Sequence, residues 1–200
     1  MMDLTGRVAV VTGGSRGIGY AIADALAGAG ASVVIGARTA KDVEQAARDL
    51  EKKHPKARCI GVPCDVRSRE DCESLIERAA GELGGIDILI NNAGIGRFAT
   101  VEEMSAEDWD AVIGTNLNSA FYCTHAALPH LKKNAAGWVI NIGSLAGKNP
   151  FARGAAYNAS KFGLLGFSEA LMLEVRHDGV RVSCIMPGSV ATAFSHPDNT

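Results

Sequence analysis

A tyrosine and a lysine four residues apart, Tyr157 and Lys161, are the pair in this sequence whose chemistry is easiest to state. On a helix, residues at this spacing share one face, with about 6 Å of rise between them. A free tyrosine titrates near pH ~10, so it is a poor acid or base at neutral pH. A nearby ammonium group favours the phenolate and should lower that pKa. The pair predicts proton transfer by Tyr157, although the same spacing arises by chance in many helices.

Two further polar residues each have a chemical and an ordinary structural interpretation. Ser144 follows an apolar run, where its hydroxyl could donate to a substrate carbonyl oxygen. A serine after a strand is more often a turn residue or a helix cap. Asn116 lies in a helical stretch, where asparagine is unfavourable, so it indicates a distorted helix or a buried polar side chain. A solvated helix face is the alternative for Asn116.

A glycine-rich turn after the first apolar run predicts a phosphate site. Gly13, Gly17 and Gly19 follow residues 7–12 and precede a stretch with helical propensity, residues 20–27. Glycines let the backbone approach an anion, and the first turn of a helix offers free N–H groups. The spacing is G-x-x-x-G-x-G rather than the general dinucleotide pattern G-x-G-x-x-G, so the turn alone is a weak signal.

Two arginines indicate which nucleotide this turn would prefer. Arg38 follows the second apolar run directly, at the place where a dinucleotide enzyme contacts the adenosine ribose. An acidic residue there would bind the 2′-hydroxyl, whereas a guanidinium matches a phosphate. Arg16 adds a second positive charge in the glycine turn. We therefore predict that NADP(H) is preferred over NAD(H), with two unrelated surface charges as the alternative.

Strand-like and helix-like segments alternate six times along the chain, which predicts an α/β fold. Such alternation requires parallel strands joined by right-handed crossover helices, and so a doubly wound, Rossmann-type sheet. Thr39 and Ser68 are expected to cap the second and third helices. The predicted strands are 7–12, 32–37, 59–64, 86–90, 138–142 and 180–185, and the longer predicted helices are 39–53, 105–132 and 155–176.

The unusual polar and glycine clusters all fall where a predicted strand ends. Ligands of doubly wound sheets bind beyond the carboxyl ends of the strands, so we expect one site at this edge. Asp65 could accept from an exocyclic amine, with a helix cap or solvated turn as its alternative, and residues 91–94 alone would be an ordinary turn. The clusters are residues 12–19, Arg38, Asp65, residues 91–94, Ser144 and residues 187–188.

Composition narrows the possible partners. The chain has 200 residues, a size that suits a single domain over 1–200, and a net charge of −2. It has no basic run, no long apolar run and no signal-peptide pattern, so we expect no nucleic-acid or membrane partner and a cytoplasmic location. Five cysteines without a C-x-x-C motif indicate reduced, packed thiols, and no residue cluster has metal-ligand spacing.

Taken together, these motifs resemble a known family, the short-chain dehydrogenases/reductases of the single-domain kind. The resemblance implies that Tyr157 is the general acid–base, that Ser144 holds the substrate carbonyl, and that Lys161 lowers the Tyr157 pKa. It also implies that Asn116 kinks its helix and places a water for proton relay. The matching residues are Thr12, Gly13, Gly17, Gly19, Asp65, Asn91, Asn92, Ala93, Gly94, Asn116, Ser144, Tyr157, Lys161, Pro187, Gly188, Val190 and Thr192.

The same resemblance implies three groups of cofactor contacts, in addition to Tyr157 and to Lys161 on the nicotinamide ribose. The residues that would cradle the phosphates are Gly13, Ser15, Arg16, Gly17, Ile18 and Gly19. Those that would line the adenine and ribose are Arg38, Asp65, Val66, Asn92, Ala93 and Gly94. Those that would face the nicotinamide are Pro187, Gly188, Val190 and Thr192.

Two departures from the family pattern keep alternatives open. Members usually continue through another helix and a seventh strand, so we expect this chain to be truncated at its C-terminal end. Carrier-protein-dependent 3-oxoacyl reductases resemble the chain throughout, but their usual arginines are replaced by Ala135-Ala136 and Asp178-Gly179, with Lys132, Lys133 and Arg176 nearby.

The leading expectation is an NADP-dependent oxidoreductase that acts on a small carbonyl or alcohol substrate. The first alternative is a 3-oxoacyl-(acyl-carrier-protein) reductase of fatty-acid synthesis. The second is a non-catalytic nucleotide-binding sensor or scaffold, whose usual mark, a broken catalytic set, is not present in this sequence. The resemblance further implies a homodimer or homotetramer in which the long helices after the fourth and fifth strands pair.

Overall fold

The predicted strands form one parallel sheet in a computed structural model of the protein, which describes residues 3–133, 136–192 and 194. Within those residues the sheet has six strands in the order β3-β2-β1-β4-β5-β6, and every neighbouring pair is parallel. This confirms the doubly wound, Rossmann-type fold. The strands are β1 (Val8–Thr12), β2 (Ser32–Ala37), β3 (Cys59–Pro63), β4 (Ile88–Asn91), β5 (Gly137–Ile142) and β6 (Val180–Ile185).

Helices connect the strands and cover both faces of the sheet. A π-helical segment (Gly114–Asn118) separates two of them, and a short 3₁₀ turn (Leu145–Gly147) follows β5. The α-helices are α1 (Gly17–Gly28), α2 (Ala40–Lys53), α3 (Arg69–Leu83), α4 (Ala106–Ile113), α5 (Ser119–Lys133) and α6 (Ala155–Val175).

The core lies in two layers, because successive side chains of a strand point to opposite faces of the sheet. Val10 and Val34 pack with the inner faces of α3, α5 and α6, whereas Val11 and Ile35 pack with α1 and α2. Strands covered on both faces must be apolar at consecutive positions. All five residues of β1 are buried, which explains why these segments appear in the sequence as continuous apolar runs.

The predicted helix caps are partly right. The Ser68 hydroxyl accepts from the backbone N–H of Asp71 at 3.1 Å, so this cap is confirmed. Thr39 occupies the position before α2, but its side chain makes no capping hydrogen bond, so that prediction is wrong. The backbone of Thr39 alone begins the helix, since its carbonyl accepts from the N–H groups of Asp42 and Val43.

The largest difference from the predicted elements is the break in the helix expected over 105–132. Residues Gly114–Asn118 widen into a π turn between α4 and α5. Asn116 lies within this π turn, is 2% exposed, and hydrogen-bonds to neighbouring segments. A π turn inserts an extra residue into a helix and changes the direction of the side chains there.

Some features of the predicted organisation are outside what the structure tests. The single domain over 1–200 and the missing seventh strand stay predictions, and Ala135 lies outside the described residues. Among the helices that the structure describes, none has the length and apolar character to cross a bilayer.

Candidate active site

The glycine turn between β1 and α1 has a backbone that side chains would disrupt. Gly13 and Gly17 have φ angles of 64° and 58°, a region that L-residues with a Cβ rarely adopt. A Cβ on Gly19 would collide with the carbonyl oxygen of Gly13 and the side-chain amide of Asn92. The backbone of the turn is therefore closely packed, and no side chain of these glycines separates it from a bound ligand.

The end of β4 holds this turn in place. The Thr12 hydroxyl accepts from the backbone N–H groups of Asn92 and Ala93, both at 3.0 Å. The Asn92 side-chain amide donates to the carbonyl oxygens of Thr12 and Gly13 at 2.9 and 3.2 Å. Asn92 therefore acts on the turn through hydrogen bonds, which were not foreseen from the sequence.

The start of α1 suits an anion such as a nucleotide phosphate. Arg16 at the N-cap makes no side-chain capping bond, and the first turn of α1 contains no acidic residue. The N–H groups at a helix start lack intrahelical partners and lie at the positive end of the helix dipole. With the glycine backbone beside them, these groups fit the phosphates of a dinucleotide.

Two charged side chains lie where the adenosine part of a dinucleotide would bind. Arg38 lines the same cleft as the glycine turn. The Arg67 guanidinium donates to both oxygens of the Asp65 carboxylate, from Nε to Oδ1 and from Nη2 to Oδ2, and this hydrogen bonding lowers the pKa of Asp65; the charge of Arg38 also contributes. Arg67 had not been singled out from the sequence, where it is one arginine among many.

Lys161 places its ammonium group deep beneath the cleft. The residue is 5% exposed, and its Nζ donates to the carbonyl oxygen of Ile142 at 2.8 Å. Burial penalises the charged form and lowers the Lys161 pKa to about 8. The group can thus lose or hold a proton not far from neutral pH.

The Tyr157 pKa moves in the direction opposite to the one expected from the sequence. Burial of the phenol raises it, and a hydrogen bond with Ser144 opposes that rise. Lys161 Nζ lies 5.8 Å from the centre of the Tyr157 ring, but burial, and not this charge, sets the direction in which the Tyr157 pKa moves. The prediction that the ammonium lowers the Tyr157 pKa is therefore wrong. The Lys161 ammonium donates its hydrogen bond to the Ile142 carbonyl oxygen rather than to the phenol.

Ser144 is both a capping residue and a residue of the cleft, the two roles considered for it from the sequence. It caps the short turn after β5, where its hydroxyl oxygen accepts from the N–H of Ala146 at 3.1 Å. The same hydroxyl lies within hydrogen-bonding reach of Tyr157. The capping hydrogen bond to Ala146 thus holds the Ser144 hydroxyl in place beside the Tyr157 phenol.

Asn116 does not line the cleft but supports it from behind. Its side chain exchanges hydrogen bonds with the backbone of Ile95 at 2.8 and 3.0 Å and donates to Ser160 Oγ at 3.0 Å. The Ser160 hydroxyl in turn donates to the carbonyl oxygen of Tyr157 at 2.7 Å. Asn116 therefore connects the loop after β4 to the helix that carries Tyr157 and Lys161.

Apart from Asn116, every predicted site residue lines one cleft of about 520 Å³ at the carboxyl edge of the sheet. That volume lies within the range of small-molecule and cofactor sites. Sequence inspection missed Ser160, because a serine inside a helix is common, and three phenylalanines near Tyr157, because residues outside helices and strands carry no periodicity that places them. The predicted residues around the cleft are Gly13, Ser15, Arg16, Gly17, Ile18, Gly19, Arg38, Asp65, Val66, Asn92, Ala93, Gly94, Ser144, Tyr157, Lys161, Pro187, Gly188, Val190 and Thr192.

A doubly wound sheet in the order 3-2-1-4-5-6, with a glycine turn before its first helix, defines the class of dinucleotide-binding α/β proteins. Comparison with known proteins identifies the family. A family model described as short chain dehydrogenase matches residues 7–200. The chain therefore belongs to the short chain dehydrogenases, a family of oxidoreductases that use a nicotinamide cofactor.

Individual relatives cover most of the chain. A 3-oxoacyl-[acyl-carrier-protein] reductase FabG of Escherichia coli K12 is 40% identical over 191 residues, which is 96% of this chain and 76% of that protein. A D-beta-hydroxybutyrate dehydrogenase of Cupriavidus necator is 38% identical and covers 94% of this chain and 72% of its own length. A metagenomic short-chain oxidoreductase crystallised with NADP superimposes with a TM-score of 0.87 at 40% identity, covering 94% of this chain and 84% of that chain.

Proposed function

We propose that this protein is an NADP-dependent oxidoreductase that interconverts a carbonyl compound and a secondary alcohol. The observation that carries the proposal is the convergence of Ser144, Tyr157 and Lys161 at one end of the cleft that begins at the glycine turn. The chemistry supplied by a bound nicotinamide is hydride transfer to or from the substrate carbon. The residues of the protein supply orientation and the proton.

In the direction of reduction, Tyr157 donates its phenolic proton to the carbonyl oxygen while the carbonyl carbon receives the hydride. The alcohol therefore forms without a free alkoxide intermediate. In the direction of oxidation, the tyrosinate accepts the proton from the alcohol. Ser144, held by its bond to Ala146, can donate a hydrogen bond to the same oxygen. A positioned donor of this kind stabilises the charge that develops on the oxygen.

The Tyr157 phenol is protonated at neutral pH, as the proton donor of a reduction must be, although its raised pKa also makes it a weaker acid than free tyrosine. Because burial raises this pKa, the phenol keeps its proton at neutral pH until the substrate oxygen becomes basic. The buried ammonium of Lys161 then lies near the tyrosinate left behind.

The preference for NADP(H) rests on charge. Arg38 and Arg16 both line the cleft, at the end of β2 and at the start of α1. A guanidinium matches a 2′-phosphate in geometry and sign. The solved relative crystallised with NADP supports the same preference.

The first test is Tyr157→Phe. We expect at least about a 10²-fold loss of carbonyl-dependent NADPH oxidation, since general acid–base catalysis contributes on this scale. NADPH affinity, measured by the fluorescence of the bound nucleotide, should remain. Tyr122→Phe is the matched control, because this tyrosine lies on α5 and does not line the cleft. Wild-type turnover by Tyr157→Phe would refute the assignment.

A second candidate function is the reduction of 3-oxoacyl thioesters on an acyl carrier protein. The 40% identity to a FabG reductase favours it. Against it, the Lys132 ammonium pairs with Asp178 at 2.6 Å, which reduces the positive charge available to an acidic carrier. A carrier-bound thioester turned over far better than any simple ketone would select this candidate. NADPH binding without turnover of any carbonyl would instead favour the non-catalytic sensor or scaffold.

The proposed assembly is a homodimer or homotetramer formed through α5 and α6. Both helices expose large apolar side chains, which is unusual for a surface that stays in water. They are Phe121 on α5 and Phe162, Met172 and Leu173 on α6. A small-molecule substrate and a cytoplasmic location remain parts of the same proposal.

A further inference from the structure

Three phenylalanine rings surround the ring of Tyr157. Their centres lie 5.8 Å (Phe98), 6.4 Å (Phe151) and 6.0 Å (Phe194) from the centre of the tyrosine ring, and Phe98 and Phe151 are 5.7 Å apart. The planes are inclined by 47–69°, within the tilted and edge-to-face arrangements that aromatic pairs prefer. We call Phe98, Phe151 and Phe194 the aromatic wall.

The aromatic wall is only half covered by the protein. Phe98, Phe151 and Phe194 are 47%, 46% and 41% exposed, although each touches the ring that carries the reactive hydroxyl. Single exposed apolar residues are ordinary, but here Phe98 and Phe151 adjoin each other, Phe194 lines the cleft, and all three rings contact Tyr157, so together they form an apolar surface beside the cleft. Such a surface next to Tyr157 would be covered when a substrate with an apolar group binds.

Two glycines make the ring positions possible. A Cβ on Gly96 would lie 2.7 Å from Cζ of Phe98, and a Cβ on Gly154 would lie 2.5 Å from the Phe151 ring. A Cβ at either position would force the ring to shift, so these ring placements depend on the two glycines. The backbone of both loops is therefore compatible with these particular ring placements.

The two loops that carry Phe98 and Phe151 are tied together. Ala99 and Gly154 form a parallel β-bridge, and Arg153 pairs with Glu103 at 3.4 Å. Arg153 also has a φ angle of 65°, which costs energy for a residue with a side chain and is found where the surrounding structure enforces it. The Phe98 and Phe151 part of the aromatic wall is thus preorganised, which lowers the entropy cost of binding against it.

Charge near the wall favours a neutral group. Arg97 pairs with Asp108 at 3.3 Å, and Arg153 pairs with Glu103. Each arginine of these two loops is therefore balanced by a carboxylate, so neither offers an uncompensated charge to a substrate anion. What the wall itself offers is apolar area and aromatic faces and edges.

We propose that the aromatic wall binds a flat aromatic group of the substrate, so that the preferred substrates are neutral carbonyl compounds with an aromatic substituent, or the corresponding alcohols. This inference rests on the proposed function of the same cleft. The reaction is the one already given: hydride from NADPH adds to the carbonyl carbon, and the Tyr157 proton goes to the oxygen. NADP⁺ and a secondary alcohol are the products.

The test compares 4-phenyl-2-butanone with 4-cyclohexyl-2-butanone. Both are methyl ketones with equally reactive carbonyls and rings of similar size, so a difference in kcat/KM reports the ring contact. We expect the phenyl compound to be favoured about tenfold, the scale of one or two aromatic contacts. Phe98→Leu and Phe151→Leu should reduce this ratio to about two by losing activity on the phenyl ketone only.

Trp138→Leu is the control, since Trp138 is an exposed aromatic residue near the start of β5, away from the carboxyl edge. It should keep the wild-type ratio. Equal kcat/KM for the two ketones in the wild type would overturn the inference and leave the proposed function standing. An equal loss on both ketones in the leucine variants would do the same, because the rings would then only support the loops.

A binding measurement tests this inference independently of the proposed catalytic function. Calorimetric titration of the NADPH complex with 4-phenyl-2-butanol and 4-cyclohexyl-2-butanol needs no turnover. Tighter binding of the phenyl alcohol, lost in Phe151→Leu, supports the aromatic wall even if no carbonyl is reduced. Equal affinities for the two alcohols contradict it, whatever the kinetic result.

Discussion

At the scale of single residues, burial of the Lys161 ammonium carries an electrostatic cost. Its ammonium is buried and, within the residues that the structure describes, donates one hydrogen bond, to the Ile142 carbonyl oxygen, in place of the water it has lost. A buried cation without a carboxylate partner lowers stability, and proteins keep such groups where chemistry needs them. The position of Lys161 beside the Tyr157 ring is consistent with that interpretation.

This cost makes stability depend on pH. The Lys161 pKa is about 8 in the folded protein against 10.5 for a free lysine. Between these values the unfolded chain binds more protons than the folded one, so the free energy of unfolding must rise with pH. Below about pH 8 the ammonium is buried and the penalty is complete; above it the folded protein sheds the proton and the penalty is relieved.

We therefore expect the wild type to gain roughly 2–3 kcal/mol relative to Lys161→Met between pH 7 and pH 10. Urea unfolding of both proteins at several pH values measures this difference. The variant has no proton to release at this position, so its other groups supply the background. Identical pH slopes for the two proteins would show that Lys161 is not depressed in pKa.

Arg38 determines the expected cofactor preference. Arg38→Asp should lower kcat/KM with NADPH relative to NADH by about 10- to 100-fold, the effect of losing a hydrogen bond to a charged group. Arg48→Asp is the matched control, since Arg48 lies on α2 beside Glu44 and does not line the cleft. An unchanged ratio in Arg38→Asp would contradict the phosphate assignment.

At the scale of elements, the π segment joins two parts of the site. By widening the helix at Gly114–Asn118, it turns the Asn116 side chain inward towards Ile95 and Ser160. A regular helix would present residues 116 and 120 on one face, and the extra residue shifts that register. The loop after β4 and the start of α6 are thereby held at a fixed separation.

Neighbouring asparagines in this segment give a direct test of that function. Asn116→Ala removes the side chain that pairs with both partly buried backbone groups of Ile95, so we expect a loss of about 1–3 kcal/mol in unfolding free energy and lower kcat. Asn118→Ala removes an exposed side chain from the same π turn and should change stability by less than about 0.5 kcal/mol. Equal effects of the two substitutions would contradict the assigned role.

At the scale of the whole molecule, the sheet brings distant segments to one edge. β1 and β4 are neighbours although α1, β2, α2, β3 and α3 separate them in sequence. The order of strands reverses direction at β1, and such a switch point leaves a crevice between the flanking connections. The cleft lies at this crevice, where the connections on either side of β1 run in opposite directions. The loops after β4, β5 and β6 extend the cleft to Tyr157.

The proposed assembly gives a prediction at the same scale. Light scattering should show a dimer or tetramer at micromolar concentration. Leu173→Glu should shift it towards monomers, because a charge would be buried at the α6 contact. Val101→Glu is the control, since Val101 is highly exposed but lies in a loop away from α5 and α6. A monomeric wild type would contradict the assembly.

The fold could be predicted from the sequence because its signals are local and repeated. The apolar runs of β1, β2 and β4 are strands buried on both faces, and each glycine or polar cluster marks a strand end. The boundaries were less certain: the fourth strand was predicted over 86–90 and is Ile88–Asn91, because hydrogen bonding to β1 and β5 decides where a strand begins.

The residue types at positions 13, 17, 19, 144, 157 and 161 and their spacing were enough to predict a cleft with a phosphate end and a proton-donating end. Only the tertiary structure decided the electrostatics within it. Whether Lys161 faces Tyr157 or Ile142, and how much water reaches either, depends on segments far away in sequence. The aromatic wall has the same origin, since Phe98, Phe151 and Phe194 lie on segments that only the folded sheet brings together.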